Sequence, residues 1–181
     1  MSNSIMLASA YEFSARAHEG QMRKYTGEPY IVHPCEVMEI LVEHVPTASI
    51  EMMMAALLHD VVEDCGVTLE EIREQFGHEV EDLVFWLTDP PTVPGGPNRA
   101  ARKAMTRERY AIAPAEAQTI KCDDIISNTS TITQHDPDFA VVYLSEVRAL
   151  LDVLDRADPA LLERARAIVG LVIDFAMVLR D

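Results

Sequence analysis

The feature that most constrains the fold is a ten-residue run, 55–64, in which four apolar residues lead directly into polar ones. It reads Ala-Ala-Leu-Leu-His-Asp-Val-Val-Glu-Asp. If the run is helical, residues four apart share a face, which pairs His59 with Glu63 and Asp60 with Asp64. The apolar approach predicts a core helix, and buried charges persist when they are paired or bound to a metal. The alternative is a solvated helix end that carries ordinary acids.

A metal site is the first hypothesis for this run. Adjacent side chains on a helix diverge by about 100°, so His59 and Asp60 can offer neighbouring ligands to one octahedral ion. Imidazole combined with carboxylate favours Mn, Fe or Zn over Ca or Mg. His33 stands directly before Pro34, which suits the first turn of a helix, so it also has a rigid place for a ligand.

The distribution of charge points to the class of ligand. The 181 residues carry a formal net charge of −15, which repels nucleic acid and anionic membranes. The few basic residues are nevertheless clustered, with Arg23-Lys24 in a glycine-containing loop and a second group in a short window: Arg99, Arg102, Lys103, Arg107 and Arg109. An acidic chain with two basic islands predicts a small, phosphate-rich ligand rather than a polymer.

Composition and hydropathy indicate the cellular location and the state of the cysteines. No apolar stretch reaches the roughly 18 residues of a membrane span, and the N-terminus lacks signal-peptide features, so a cytoplasmic location is expected. The three cysteines, Cys35, Cys65 and Cys122, are odd in number and form no CxxC pair. We interpret them as small buried thiols, with a redox-sensitive or metal-perturbing thiol as the alternative.

Hydrophobic periodicity predicts an all-α chain of about eight to nine helices, in one domain over residues 1–181. Thr47 is the expected cap of the helix that runs into His59-Asp60, and Thr68 with Glu71 has the capping-box pattern. A loop with four prolines and two glycines over residues 89–97 interrupts the helices. The predicted helices lie near 4–18, 34–45, 47–60, 68–76, 80–87, 98–112, 113–135, 139–154 and 159–179. Within the seventh, Asp124 and Asn128 are four apart among isoleucines, which predicts a buried polar pair.

Two motifs carry a resemblance to a known family. The first is Gly-Gln-x-Arg-Lys-x-x-Gly-Glu-Pro-Tyr-Ile-x-His-Pro at 20–34, and the second is the run at 55–64. With Asp124 they resemble the hydrolase domain of the RelA/SpoT family, an HD-domain metal-dependent phosphohydrolase, over roughly residues 5–155. The resemblance implies an HD-domain helical bundle that removes the 3′-pyrophosphate from the alarmone (p)ppGpp. The length leaves no room for synthetase and regulatory domains, so the stand-alone small alarmone hydrolases are the expected type.

The resemblance also implies roles for individual residues. One Mn²⁺ would be bound by His33, His59, Asp60 and Asp124. The attacking water would be positioned and activated by Glu63 and Asp64. The nucleotide would be contacted by Arg23, Lys24, Arg99, Asn128 and Tyr143. No other cofactor is required, because hydrolysis consumes only water, and the oligomeric state stays open.

The chain departs from the family pattern around Asp124. The family motif reads Lys-Leu-Ala-Asp-Arg/Lys-Leu-x-Asn, whereas residues 121–128 read Lys-Cys-Asp-Asp-Ile-Ile-Ser-Asn. Asp123 replaces a small residue and Ile125 replaces a basic one. Two other functions therefore stay open: hydrolysis of another phosphorylated nucleotide, such as an adenosine alarmone or a phosphorylated dinucleotide, and a catalytically silent nucleotide-binding module. The intact Glu63-Asp64 pair argues against the silent module.

Overall fold

The computed structural model describes residues 2–91 and 93–178, and within them every regular element is an α-helix, as predicted. The helices are α1 (Asn3–Ala17), α2 (Val32–His44), α3 (Ile50–Leu58), α4 (Val61–Cys65), α5 (Leu69–Phe76), α6 (His78–Leu87), α7 (Arg99–Tyr110), α8 (Ala115–His135), α9 (Pro137–Leu151) and α10 (Pro159–Val178). Counting α3 and α4 as one interrupted helix gives nine. Leu179, the predicted end of the last helix, lies outside the described residues.

The interruption lies within the run 55–64. The prediction of one unbroken helix up to residue 60 is wrong there. α3 ends at Leu58, and His59 and Asp60 form a turn before α4. The break is slight, because the Asp64 amide still donates to the Asp60 carbonyl at 2.9 Å. Asp60 and Asp64 therefore keep their four-residue spacing on one helical turn. Gly66 then ends α4 in the left-handed conformation, at φ 72°, which a residue with a side chain rarely adopts.

The described residues form two compact units, Met1–Val93 and Pro94–Asp181. In the first unit α3 is the central helix and packs against α1, α2 and α6. Six of its nine residues are buried, which fits its nearly continuous apolar sequence: Met52, Met54, Ala55, Ala56, Leu57 and Leu58. In the second unit α8 packs against α9 and α10, and α7 packs against α9. The prediction of a single domain stays a prediction.

The loop between α1 and α2 folds back on itself as a short hairpin. The Arg23 amide donates to the Glu28 carbonyl at 2.8 Å, and the Tyr30 amide donates to the Gln21 carbonyl at 2.9 Å. Gly27 supplies the left-handed residue of the turn, at φ 69°. The hairpin fixes Arg23 and Tyr30 at the start of α2.

Across the described residues, no helix combines the length and apolarity needed to cross a membrane.

Candidate functional site

Three of the four predicted metal ligands converge in the first unit. His33 is the second residue of α2, and His59 and Asp60 form the turn after α3. One ligand atom from each of the three lies within 4.8 Å of the others. Asp60 Oδ2 is 3.0 Å from His59 Nε2 and 3.6 Å from His33 Nε2. Both histidines are buried, whereas Asp60 is partly exposed.

The hydrogen bonding of His59 fits a cation at this point. His59 Nδ1 is 2.8 Å from the Ala56 carbonyl oxygen. A carbonyl only accepts, so Nδ1 carries the proton and, in a neutral ring, Nε2 carries the lone pair directed at Asp60. Two electron-rich atoms 3.0 Å apart favour a positive ion between or beside them. Two imidazole nitrogens and a carboxylate oxygen form the donor set of a transition-metal site.

Tyr30 orients the carboxylate ligand, a role that the sequence analysis missed. Its hydroxyl donates to Asp60 Oδ2 at 2.7 Å. The Tyr30 ring lies against the buried His18 imidazole, with ring centroids 4.6 Å apart. His18 is held in turn by a 2.6 Å hydrogen bond to Gln21. A packed and hydrogen-bonded group of this kind fixes the direction in which a ligand oxygen points.

The predicted catalytic acids, Glu63 and Asp64, are the third and fourth residues of the short helix α4. Taken as whole residues, both are exposed to solvent. Glu63 accepts a hydrogen bond from the Asp89 amide at 3.0 Å. Partial burial of the carboxyl, and next the negative charge of Asp60, raise the pKa of Asp64 above its ordinary value. A carboxyl with a raised pKa takes up a proton more readily than an ordinary one does.

Arg23 and Lys24, the predicted nucleotide contacts of the hairpin, have different surroundings. Arg23 is buried, at 7 % exposure, and donates to Glu36 at 2.6 Å. Lys24 is exposed and lies beside Tyr25, with its ammonium 3.1 Å from the Tyr25 hydroxyl. Burial of the guanidinium and its short ion pair with the partly exposed Glu36 hold the Arg23 side chain in one orientation.

Asp124, the fourth predicted ligand, is buried on α8 in the second unit. Asn128 donates to its Oδ1 at 2.6 Å, which confirms the predicted polar pair, and Lys121 donates to its Oδ2 at 2.7 Å. Hydrogen bonds to both oxygens hold the Asp124 carboxylate in one orientation.

The second unit also contains a cavity of about 290 Å³ between α7, α8 and α9. It brings together Arg99, Asn128 and Tyr143, the three nucleotide contacts predicted in this unit. Further lining residues that the prediction did not include are Lys103, Arg107, Phe139 and Glu146. Cationic side chains on one helix, opposite aromatic rings on another, suit the phosphates and the base of a nucleotide.

Arg99 does not point into open space within this cavity. Its Nε and Nη2 donate to the two carboxylate oxygens of Glu146, both at 2.7 Å. Its guanidinium carbon also lies 5.3 Å from the centroid of the Phe139 ring. Glu146 is 47 residues away along the chain, so no local sequence pattern pairs it with Arg99.

The two departures from the family motif are both core residues. Ile125 is 2 % exposed, so the position of the family's basic residue holds an apolar side chain in the core. Asp123 is fully buried, and neither carboxylate oxygen has a hydrogen-bond partner in the described part of the chain. Burial, with the charges of Asp124 and Asp158, raises the pKa of Asp123 to about 9.

The cysteines have the character of protonated thiols. Burial is the main cause that raises the pKa of Cys65 to about 11 and that of Cys122 to about 12, and it also raises the pKa of Cys35. A thiol reacts as its thiolate, so raised values mean low reactivity near neutral pH. The prediction of buried thiols is correct for Cys122, whereas Cys35 and Cys65 are partly exposed.

Comparisons with known proteins agree with this geometry. Residues 10–116 match the HD domain family. The chain is 36% identical over 138 residues to the human guanosine-3′,5′-bis(diphosphate) 3′-pyrophosphohydrolase MESH1, across 76% of this chain and 75% of that protein. It is 49% identical over 78 residues to a Vibrio cholerae protein of the same enzyme name, across 43% of this chain and 11% of that protein.

A solved structure matches the fold over nearly the whole chain. It belongs to a metazoan ortholog of SpoT that hydrolyzes ppGpp, and the match has a TM-score of 0.76 with 25% sequence identity. The match covers 97% of this chain and 95% of the other. Together these matches confirm the resemblance that the two motifs carry.

Proposed function

We propose that this chain, which belongs to the HD-domain family, hydrolyses the 3′-pyrophosphate of guanosine alarmones, ppGpp and pppGpp, to GDP or GTP and pyrophosphate. The convergence of His33, His59 and Asp60 within 4.8 Å is the observation that carries the proposal. The relatives' names support the substrate, because guanosine-3′,5′-bis(diphosphate) 3′-pyrophosphohydrolases match this chain at 36% and 49% identity.

The metal in this proposal is Mn²⁺, held by His33, His59, Asp60 and Asp124. The donor set of imidazoles and carboxylates supports manganese among other transition metals, and the family motif supports Asp124 as the fourth ligand. When bound, such an ion lowers the pKa of a coordinated water and polarises a phosphoryl oxygen. Tyr30 holds Asp60 in the direction that ligation requires, through its 2.7 Å hydrogen bond.

The chain's own acids complete the chemistry. Asp64 accepts the proton of the attacking water, a role that its raised pKa supports. Glu63, held by the Asp89 amide, positions that water.

The nucleotide is bound from two places. Arg23 and Lys24 bind it from the hairpin, while the cavity residues that bind it are Arg99, Asn128 and Tyr143. The proposed partner is thus a small phosphorylated nucleotide, bound by a cytoplasmic protein whose residues 1–181 act as one domain. The family match at 10–116 supports that unity, because it includes residues of both compact units.

Pyrophosphate release from ppGpp tests the proposal. Purified protein is assayed with Mn²⁺ and with a chelator, beside a known alarmone hydrolase as a positive control. Release that requires the ion is expected. If the positive control cleaves ppGpp while this protein, with Mn²⁺ shown to be bound, leaves it intact, the proposed substrate is wrong.

A second substrate class has one observation in its favour. Ile125 is buried where the family motif has a basic residue, so one positive charge of that motif is missing here. An adenosine alarmone and a 2′- or 3′-phosphorylated dinucleotide therefore belong in the same assay. Faster turnover of either than of ppGpp would move the assignment to that nucleotide.

The Tyr30 hydrogen bond yields a prediction about metal affinity. Replacing Tyr30 with phenylalanine removes only the hydroxyl, and loss of a group that orients a ligand costs about 10- to 100-fold in metal affinity. We expect Mn²⁺ binding, measured by calorimetry, to weaken by about tenfold or more. Tyr25→Phe removes the hydroxyl beside Lys24 and is expected to bind Mn²⁺ as wild type does. Equal affinity in wild type and Tyr30→Phe would mean that the hydroxyl does not orient Asp60.

A further inference from the structure

The cavity of the second unit contains one carboxylate among its cations. Its charged lining residues are Arg99, Lys103, Arg107 and Glu146, which gives three positive charges and one negative charge, a net charge of +2. A site that binds polyphosphate gains nothing in affinity from a negative charge in its wall. Glu146 therefore needs an explanation that the proposed reaction does not provide.

The geometry of the pair shows what Glu146 does to Arg99. The two hydrogen bonds of 2.7 Å use Nε and Nη2, which form one edge of the guanidinium. It is one of the two edges with which arginine can bind a phosphate through two parallel hydrogen bonds. The Phe139 ring lies against the guanidinium as well, 5.3 Å from its central carbon. Within the described residues, one of the two bidentate anion-binding edges of Arg99 is thus already occupied by an anion.

We infer that Glu146 is a specificity-determining residue that competes with the substrate's phosphates for Arg99. A nucleotide binds fully in the cavity only by displacing the carboxylate from the guanidinium. Glu146 thereby lowers the affinity for every anion, and weakly binding anions with few charges lose most of their occupancy. This inference rests on the proposed function, since it takes an alarmone as the ligand of the cavity.

The exposure of the two partners is consistent with displacement. The Arg99 side chain is 46% exposed and that of Glu146 is 18% exposed. The two parallel hydrogen bonds make this pair stronger than an ordinary surface ion pair, but water and salt reach the half-exposed guanidinium. A phosphate group of higher charge can therefore compete with the carboxylate for it. By contrast, the Arg23 guanidinium is only 7% exposed in its pair with the 40% exposed Glu36, so it is held in one orientation by burial as well as by the ion pair.

The test is the dissociation constant of ppGpp, measured by calorimetry with a chelator present so that no metal-dependent hydrolysis occurs. Glu146→Gln is expected to tighten binding by about tenfold at low salt, the lower end of what one added charged hydrogen bond contributes. The gain should shrink as salt is raised, because screening weakens the freed charge. The matched control is Glu163→Gln, which removes a carboxylate paired with Arg166 in the same unit and should leave the affinity unchanged.

A double substitution tests whether the gain passes through Arg99. Arg99→Gln alone is expected to weaken ppGpp binding, and adding Glu146→Gln to it should produce no further tightening. Unchanged or weaker binding by Glu146→Gln would overturn the inference, as would an equal gain in the Arg99→Gln background. If wild type hydrolyses ppGpp but Glu146→Gln shows no gain, only the inference fails. If the gain appears but no variant hydrolyses ppGpp, only the proposed reaction fails, and absence of binding by both proteins overturns both.

Discussion

Replacing Asp60 with asparagine is expected to lower kcat/KM for pyrophosphate release from ppGpp by about 10³-fold or more. A metal that polarises a phosphoryl oxygen contributes several kcal/mol to transition-state stabilisation, and each 1.4 kcal/mol is about tenfold in rate. Asp60 Oδ2 lies within 3.6 Å of both histidine nitrogens and accepts from Tyr30, so this one oxygen contacts all three neighbouring side chains. Asparagine keeps the shape and removes the charge.

The matched control for this prediction is Asp82→Asn. Asp82 is an exposed acid of α6 in the same unit, so its substitution makes the same change in net charge away from the cluster. Activity, Mn²⁺ content and helical circular dichroism are measured on both variants. We expect Asp60→Asn to stay helical while it loses the ion and the activity. If Asp60→Asn keeps full activity although it has lost the ion, the proposal that activity depends on metal held by Asp60 is wrong.

Each of the three converging ligands could be singled out from local sequence, and the family resemblance predicted that they share one site. His59 and Asp60 follow an apolar run that only a core helix explains, and His33 stands at a proline-marked helix start. The structure brings these three side chains together as expected. The sequence does not signal the break between α3 and α4, because no glycine or proline stands at residues 59–60. The cap of α3 was misplaced for a similar reason: Ser49, not Thr47, accepts from the Met52 amide, and both residues have suitable side chains.

What the sequence could not supply are pairs between distant residues. Tyr30 and Asp60 are 30 residues apart, and Arg99 and Glu146 are 47 apart. A long-range hydrogen bond depends on how helices pack, and single-sequence periodicity carries no information about which polar side chains then meet. The family resemblance supplied Arg99, Asn128 and Tyr143, which do line one cavity. It could not supply Glu146, because the resemblance transfers only residues that match the family's pattern.

Asp123 is the position where sequence and structure together give the largest expected change in stability. We expect Asp123→Ala, which moves this site towards the small residue of the family motif, to raise the free energy of unfolding at neutral pH by about 1–3 kcal/mol. The carboxyl is fully buried, and in the described part of the chain its oxygens have no hydrogen-bond partner. Removing an unsatisfied buried polar group returns its desolvation cost, and the side chain lost is small.

The pH dependence identifies the cause of that gain. The pKa of Asp123 is about 9 in the folded chain, against an ordinary value of 3.8. Between those values the unfolded chain releases the proton and the folded chain keeps it, so wild-type stability falls as pH rises, by up to about 1.4 kcal/mol per unit or about 4 kcal/mol between pH 4 and 7. The small cavity that alanine leaves offsets part of this, which gives the expected gain of about 1–3 kcal/mol. The advantage of Asp123→Ala should therefore be small near pH 4, grow as pH rises, and level off above pH 9. Denaturant unfolding across this range measures it, with a chelator present because a bound cation would favour the ionised carboxyl.

Two further variants separate charge from packing at this site. Asp123→Asn cannot titrate but still buries a polar group, so it should remove the pH slope and recover only part of the stability. Glu163→Ala removes an acid that is 74% exposed in the same unit and should change the unfolding free energy little at any pH. If Asp123→Ala instead destabilises the protein at every pH, the carboxyl has a favourable partner in the folded chain. The departure from the family motif would then be a stabilising feature of this protein rather than a cost to its fold.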